Sequence, residues 1–289
     1  MPKKVTVVSA ISLVLLAGVI ALAVMLSGRR GSEAPARVSV YDSTAGVIYT
    51  MRYEELLAGC VSGLIPKNEE LEPEALKAVA AAESSRLRYM AGTGSGFEIT
   101  LGADYTVSEQ VPYSAEISDK VREAAKSALN VSLTFEGEPF NAPICRVSTG
   151  RTEECPPYSP SLELPCDVNA RGFESSAAFT PEKVRSALGG GNLSYNFNEW
   201  FYDPVYSDNG SLMFIDFSGE RVTGDALQNA LSLRSTAISV EFSEDKFVFR
   251  CRGWGDNRGM SIYAANFMAK NGKTAEEILK FFYPNAEIN

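Results

Sequence analysis

Residues 5–26 contain no charged side chain. At about 1.5 Å per residue a helix over these positions spans about 33 Å, close to the hydrocarbon thickness of a bilayer. The run is longer than the roughly 7–15 apolar residues of a signal-peptide core, and Ala34-Pro35-Ala36 is a poor cleavage site because of its proline. An uncleaved anchor is therefore expected. It divides the chain into a short cytoplasmic end (1–4), a transmembrane helix (5–26), a polar linker (27–37) and an ectodomain (38–289). Lys3 and Lys4 before the run and Arg29 and Arg30 after it nearly balance under the positive-inside rule. The lack of a second apolar run and the five cysteines favour an ectodomain on the extracytoplasmic side of the cell membrane.

Charge and composition narrow the chemistry. The net charge is −9, with 27 basic and 36 acidic side chains. The first 30 residues hold four basic groups and no acidic one, so the remainder is more acidic still. That excludes the basic face that nucleic acid needs and leaves the apolar anchor as the membrane contact. The chain has no histidine. This removes Ser-His-Asp and Cys-His catalysis and histidine-based zinc sites, and leaves carboxylates, Tyr, Lys or Cys for any proton transfer.

Along the ectodomain, Val38-Ser39-Val40 and residues 47–51 read as strands around a turn. A helix is expected over residues 54–64, ended by Pro66, and a second one opens on Pro73, which is tolerated in a first turn. Residues 97–108 and 129–149 read as strand-rich, and the Pro- and Cys-rich residues 150–178 as loop. Helices are expected from Thr180-Pro181 to near Gly189, over 224–231 and over 261–270, with a strand pair between 240 and 250. Thr274 with Glu277 forms a capping box for a last helix that Pro284 closes. Helices and strands do not alternate regularly, so the fold class is α+β, a single mixed ectodomain.

Four stretches, in order, carry a resemblance. Residues 54–66 (EELLAGCVSGLIP) look like E-E-Y-V-x-G-V-V-A-G-E-M-P, and Glu74 to Ala78 like E-A-L-K-A. Val222-Thr223-Gly224 with residues 231–236 (LSLRST) is similar to V-T-G…L-G-L-R-S-T. Gly253-Trp254-Gly255 with residues 259–263 (GMSIY) resembles G-W-G-H-G-V-G-M-S-Q-Y. These are motifs of the stage II sporulation protein D family, also called the amidase-enhancer family. Its characterised members are membrane-anchored lytic transglycosylases of spore formation, acting on peptidoglycan strands from which the stem peptides have been removed. The resemblance agrees with an extracytoplasmic ectodomain and implies that the chain meets peptidoglycan glycan strands, and a sporulation or wall-remodelling membrane protein as partner.

The departures are chemical. The position of the family's catalytic Glu is Leu64, that of its fourth-motif His is Asp256 and the adjacent Gly is Asn257; a further His falls on Cys145. One carboxyl must protonate the glycosidic oxygen and deprotonate the sugar's 6-hydroxyl, and a leucine does neither. The expectation is therefore a catalytically degenerate accessory protein that binds glycan or a partner. The alternative is an active transglycosylase that cleaves between N-acetylmuramic acid and N-acetylglucosamine with a relocated carboxyl. Asp256 is one candidate for that group. Glu83 is the other: it falls on the apolar stripe of the second helix, where it either acts as a buried acid or pairs with Arg86. Stabilisation of an amidase partner is suggested only by the family's second name.

Family position marks Ser148, Thr152, Arg234, Ser235, Asp256, Ser261 and Tyr263 as residues to bind glycan. Trp200, Phe201, Tyr202, Tyr206 and Trp254 either stack on sugars or fill the core. No cofactor is expected, apart from zinc at the cysteines. Cys145, Cys155 and Cys166 can hold zinc, as the resemblance hints, or pair among themselves, and outside the cytoplasm a disulfide is favoured. The resemblance also brings Cys60 and Cys251 to one cleft as a further disulfide candidate.

Overall fold

A computed structural model describes residues 34–42, 46–66, 69–92, 97–101, 111–131, 133–189 and 193–289. The expected transmembrane segment, residues 5–26, lies outside the described residues. Among the described residues no helix is long and apolar enough to cross a membrane. Residues 34–289 make up one compact unit.

The chain enters through strand β1 (Arg37–Asp42), which pairs antiparallel with β2 (Val47–Arg52) and parallel with β3 (Phe97–Leu101). Strand β4 (Val111–Tyr113) completes this sheet in the order β2-β1-β3-β4. Helix α1 (Tyr53–Leu64) starts directly on β2, and α2 (Pro73–Gly92) follows. Both helices bury more than one stripe. Leu56, Leu57, Cys60, Val61 and Leu64 of α1 are buried together with Ala78, Val79, Ala82 and Leu87 of α2. A helix buried on most sides belongs at the centre of a core, and α2 is that centre. It packs against α1, α3 (Asp119–Ala128), α6 (Ile262–Lys270) and α7 (Ala275–Phe282).

A second core lies under two three-stranded antiparallel sheets. One runs β11-β10-β9, with β9 Phe201–Tyr206, β10 Leu212–Phe217 and β11 Glu220–Thr223. The other runs β12-β13-β8, with β8 Glu174–Phe179, β12 Ala237–Ser243 and β13 Lys246–Arg252. Helices α4 (Pro181–Leu188) and α5 (Gly224–Leu231) contribute Val184, Leu227 and Leu231 to it. Trp200, Phe247 and Phe249 fill its middle, so Trp200 is a core residue and not a sugar platform. Short strands β5 (Leu133–Phe135), β6 (Glu138–Pro139) and β15 (Glu287–Ile288) form a small sheet over the first core. Strand β7 (Ile144–Cys145) pairs parallel with β14 (Met260–Ser261).

The helix boundaries follow from capping chemistry. Ser118, Thr180, Thr223, Ser261 and Thr274 each accept a bond from the backbone N–H three residues on, at the starts of α3, α4, α5, α6 and α7. The capping box of Thr274 and Glu277 forms in both directions. Two elements depart from the expectation. Residues 174–178, read as loop, lie in β8, whose small residues (ESSAAF) show no strong apolar alternation. Helix α3 lies in a stretch to which no element was assigned, although Val121, Ala124, Ala125 and Ala128 mark its buried face.

Candidate functional site

The end of α1 lies in the first core. Its last residue, Leu64, is 1% exposed. The carbonyl groups there would be orphaned at a helix C-terminus. Arg146, itself buried, satisfies them: its Nε donates to the Leu64 carbonyl at 2.7 Å and its Nη2 to the Gly63 carbonyl at 2.7 Å. A cation at the negative end of the helix dipole also suits the field there. The same guanidinium lies 4.3 Å from the Trp254 ring centroid, and that of Arg234 lies 4.4 Å from it. One indole thus receives two cations, each contributing about 0.5–2 kcal/mol in a desolvated setting. Trp254 is 8% exposed and is held as a structural plate rather than offered to a sugar.

The backbone of the fourth stretch is stitched to its surroundings. Trp254 N donates to Val147 O at 2.7 Å and receives Arg146 N at its own carbonyl at 2.9 Å. Gly255 N donates to Arg234 O at 2.8 Å, which joins the third stretch to the fourth. Tyr263 N donates to Arg146 O at 3.1 Å. The glycines serve this close stitching. Gly259 has φ +64°, and a Cβ there would collide with the Pro143 carbonyl oxygen. Asn257 has φ +63°, a conformation that Asn tolerates where glycine is usual. Its side chain accepts from Thr149 N at 3.0 Å.

A cavity of about 280 Å³ opens beside this junction, lined among others by Pro66, Glu69, Arg146, Arg171, Trp254 and Tyr263. A second, of about 470 Å³, lies across the Glu69–Leu71 segment and adds Glu116, Asp119 and Lys120. Glu69, Glu70 and Leu71 line both. The first cavity adds the cations Arg146, Arg171 and Lys270, and the second adds Glu116 and Asp119 together with Lys120. Lys120 Nζ lies 2.8 Å from Glu70, and that hydrogen bond holds the Glu70 carboxyl below its ordinary range. Glu69 and Glu70 are the carboxylates that line the cavity beside the Leu64 junction.

The two expected substitutes for the lost acid lie elsewhere. Glu83 is fully buried and is gripped by Arg86 through two bonds, Nε to Oε2 at 2.8 Å and Nη2 to Oε1 at 2.7 Å. It is the paired alternative that the structure shows. Asp256 does not line the cavity beside Leu64. Its carboxyl accepts from Arg258 N at 3.1 Å, and burial pushes its pKa up to about 6, against the opposing pull of Arg258. About a third of its side chain remains exposed.

Of the expected glycan-binding residues, Tyr263 alone lines this cavity. Ser148, Thr152, Ser235 and Ser261 are buried, and their hydroxyls are spent on the fold. Ser148 Oγ and N both donate to Asp167 Oδ2, at 2.6 and 2.7 Å. Thr152 Oγ1 accepts from Leu162 N, Ser235 Oγ from Ala237 N and Ser261 Oγ from Ala264 N. Arg234 serves Trp254. Asp167 is wholly buried. Burial raises its pKa, opposed by hydrogen bonds from Ser148 and Ser261.

The cysteine expectations change as well. All five cysteines are unpaired. Cys60 belongs to the first core and Cys251 to the second, so the proposed Cys60–Cys251 bridge does not form. Cys145, Cys155 and Cys166 form no disulfide, and among the described residues no three His, Cys, Asp or Glu side chains gather as a metal site. Burial raises the thiol pKa at Cys145 and Cys155, and at Cys166 to about 11. These thiols stay protonated at neutral pH, and a protonated thiol is a poor nucleophile.

No protein-family model matches the chain. Over 277 residues it is 26% identical to stage II sporulation protein D of Bacillus subtilis (strain 168), spanning 88% of this chain and 79% of that protein. Over 278 residues it is 24% identical to stage II sporulation protein D of Bacillus amyloliquefaciens, spanning 89% of this chain and 80% of that protein.

Proposed function

We propose that this chain, a relative of the stage II sporulation protein D family, is a sporulation-associated cell-wall protein that binds peptidoglycan glycan beside the end of α1 without cleaving it. The observation that carries the reading is Leu64. By the resemblance it stands where the family has its acid; its side chain is sealed from solvent and its carbonyl is tied to Arg146. Around it the scaffold is intact: Arg146, Trp254 and Gly259 hold the strands together, and a cavity with Tyr263 and Arg171 at its wall remains open. Loss of a positioned acid–base removes about 10²–10⁴ in rate, while binding needs only shape, hydroxyl partners and charge. In this reading an apolar anchor over residues 5–26 holds the ectodomain at the outer face of the cell membrane, and a wall-remodelling membrane protein is its second partner. The test is cosedimentation of the full chain with purified glycan strands freed of stem peptides. Binding that Tyr263→Ala weakens supports the reading; no binding, or binding indifferent to Tyr263→Ala and Arg171→Ala, rejects it.

Two observations favour a second reading, an active lytic transglycosylase. Asp256 has a carboxyl that titrates near pH 6, in the range useful to a general acid, and Glu69 lines the cavity beside Leu64. Release of anhydro-muramyl products that Asp256→Asn or Glu69→Gln abolishes would establish it.

A further inference from the structure

The largest cavity among those described lies away from Leu64, on the outer face of the β12-β13-β8 sheet. It measures about 840 Å³, within the roughly 300–1,000 Å³ of ordinary ligand sites. Strand register explains its shape. Side chains alternate across a sheet, and Ile238 and Cys251 turn inward, where they are buried in the second core. Their neighbours turn outward in two rows: Ala237, Arg252 and Glu174, then Ser239, Arg250 and Ser176. Alanine and serine make a low floor, so the face is a trough rather than a ridge. The β9–β10 hairpin walls it with Tyr206 and Gly210. Tyr206 donates its hydroxyl to the Ile238 carbonyl at 3.2 Å, which fixes the ring, yet the residue remains 43% exposed.

The charges in the trough are unequal. Arg250 is neutralised by Glu241 at 2.7 Å. Arg252 has no ion pair among the described residues, although Glu174 stands directly across from it in register. Its head group is located by packing: a Cβ at Gly210, where φ is +86°, would come 3.0 Å from a terminal nitrogen of Arg252. A guanidinium without an ion pair thus stands beside an open phenol ring and over a floor of serine hydroxyls, with the Glu174 carboxylate across the strand pair.

We propose that this trough is a second binding site, for a saccharide unit bearing a carboxylate. Arg252 takes the carboxylate in the planar, two-bond geometry suited to guanidinium. The Tyr206 ring receives the apolar face of the sugar. Ser176 and Ser239, each both donor and acceptor, meet ring hydroxyls. The site does not depend on the reading of the Leu64 junction, since the two share no lining residue.

The test is calorimetric titration of the full chain with three probes: the disaccharide of N-acetylglucosamine and N-acetylmuramic acid, the neutral disaccharide of N-acetylglucosamine, and inorganic phosphate. The acidic disaccharide is expected to bind at least tenfold more tightly than the neutral one. Arg252→Gln is expected to erase that preference, Tyr206→Ala to weaken binding severalfold, and Tyr263→Ala at the other cavity to leave the preference intact. Because Arg252 is on the surface, Arg252→Gln folds. Equal binding of the two disaccharides, or an acidic preference that survives Arg252→Gln, overturns the proposal. Phosphate binding as tightly as the acidic disaccharide also overturns it, because the site then reads charge alone. Loss of glycan cosedimentation in Tyr263→Ala with an unchanged Arg252-dependent preference would bear on the first site only.

Discussion

Replacing Arg86 by methionine is the sharpest probe of whether Glu83 is locked or available. The pair is buried, with side-chain exposures of 15% for Arg86 and 0% for Glu83, and two bonds join them. Removing one partner of a buried pair costs about 3–5 kcal/mol, because the remaining charge has neither water nor counter-ion. Arg86 is the more open partner, so the lower end applies: about 3 kcal/mol. That is a large share of the roughly 5–15 kcal/mol that stabilises a domain. Replacing both residues, Glu83→Leu with Arg86→Met, restores most of the loss, since an apolar pair of similar volume is often neutral. Urea unfolding followed by tryptophan fluorescence reads both. The single variant is expected to lower the midpoint by about 1 M or more with the slope preserved, and the double variant to recover most of it. If Arg86→Met shifts stability by less than about 0.5 kcal/mol, Glu83 reaches water. Its exclusion as a relocated acid would then fail.

Three further outcomes follow from the same geometry. Asp256 titrates near 6, above the ordinary value of about 3.9. Its charge therefore costs stability at neutral pH, and that cost is relieved as pH falls through 6 toward 4; the thermal stability of Asp256→Asn relative to the parent should be highest near pH 7 and decline between pH 6 and 4. Asp167→Ala leaves Ser148 N and Oγ buried without an acceptor, and calorimetric melting should show a loss of about 3 kcal/mol. Gly259→Ala must adopt φ +64° and displace the Pro143 carbonyl, so denaturant titration should show a loss of about 2 kcal/mol or more.

The parts of this fold written in local chemistry were legible in the sequence. Thr223-Gly224, Ser261 and Thr274-Glu277 announce helix starts by capping, and the structure begins α5, α6 and α7 at those residues. Strand β8 was hidden because its identity comes from pairing with β13, a partner about 70 residues distant. The site shows the same division. That Leu64 cannot exchange a proton is a property of one residue type, read without coordinates. That Ser148, Thr152, Ser235 and Ser261 point into the fold is not, because a serine that binds a sugar and one that caps a strand look alike until burial is known. The roles of Arg146 and Asp167 were not legible for a related reason. Their roles arise from partners 82 and 19 residues away, and no periodicity marks them.

The central claim is most directly tested by the products left when the full chain is incubated with peptide-free glycan strands over pH 5 to 8. Mass spectrometry would count anhydro-muramyl ends against a no-protein control. A buried leucine at position 64 predicts strands that are bound but of unchanged length at every pH. New anhydro ends that accumulate with time and protein concentration would contradict it.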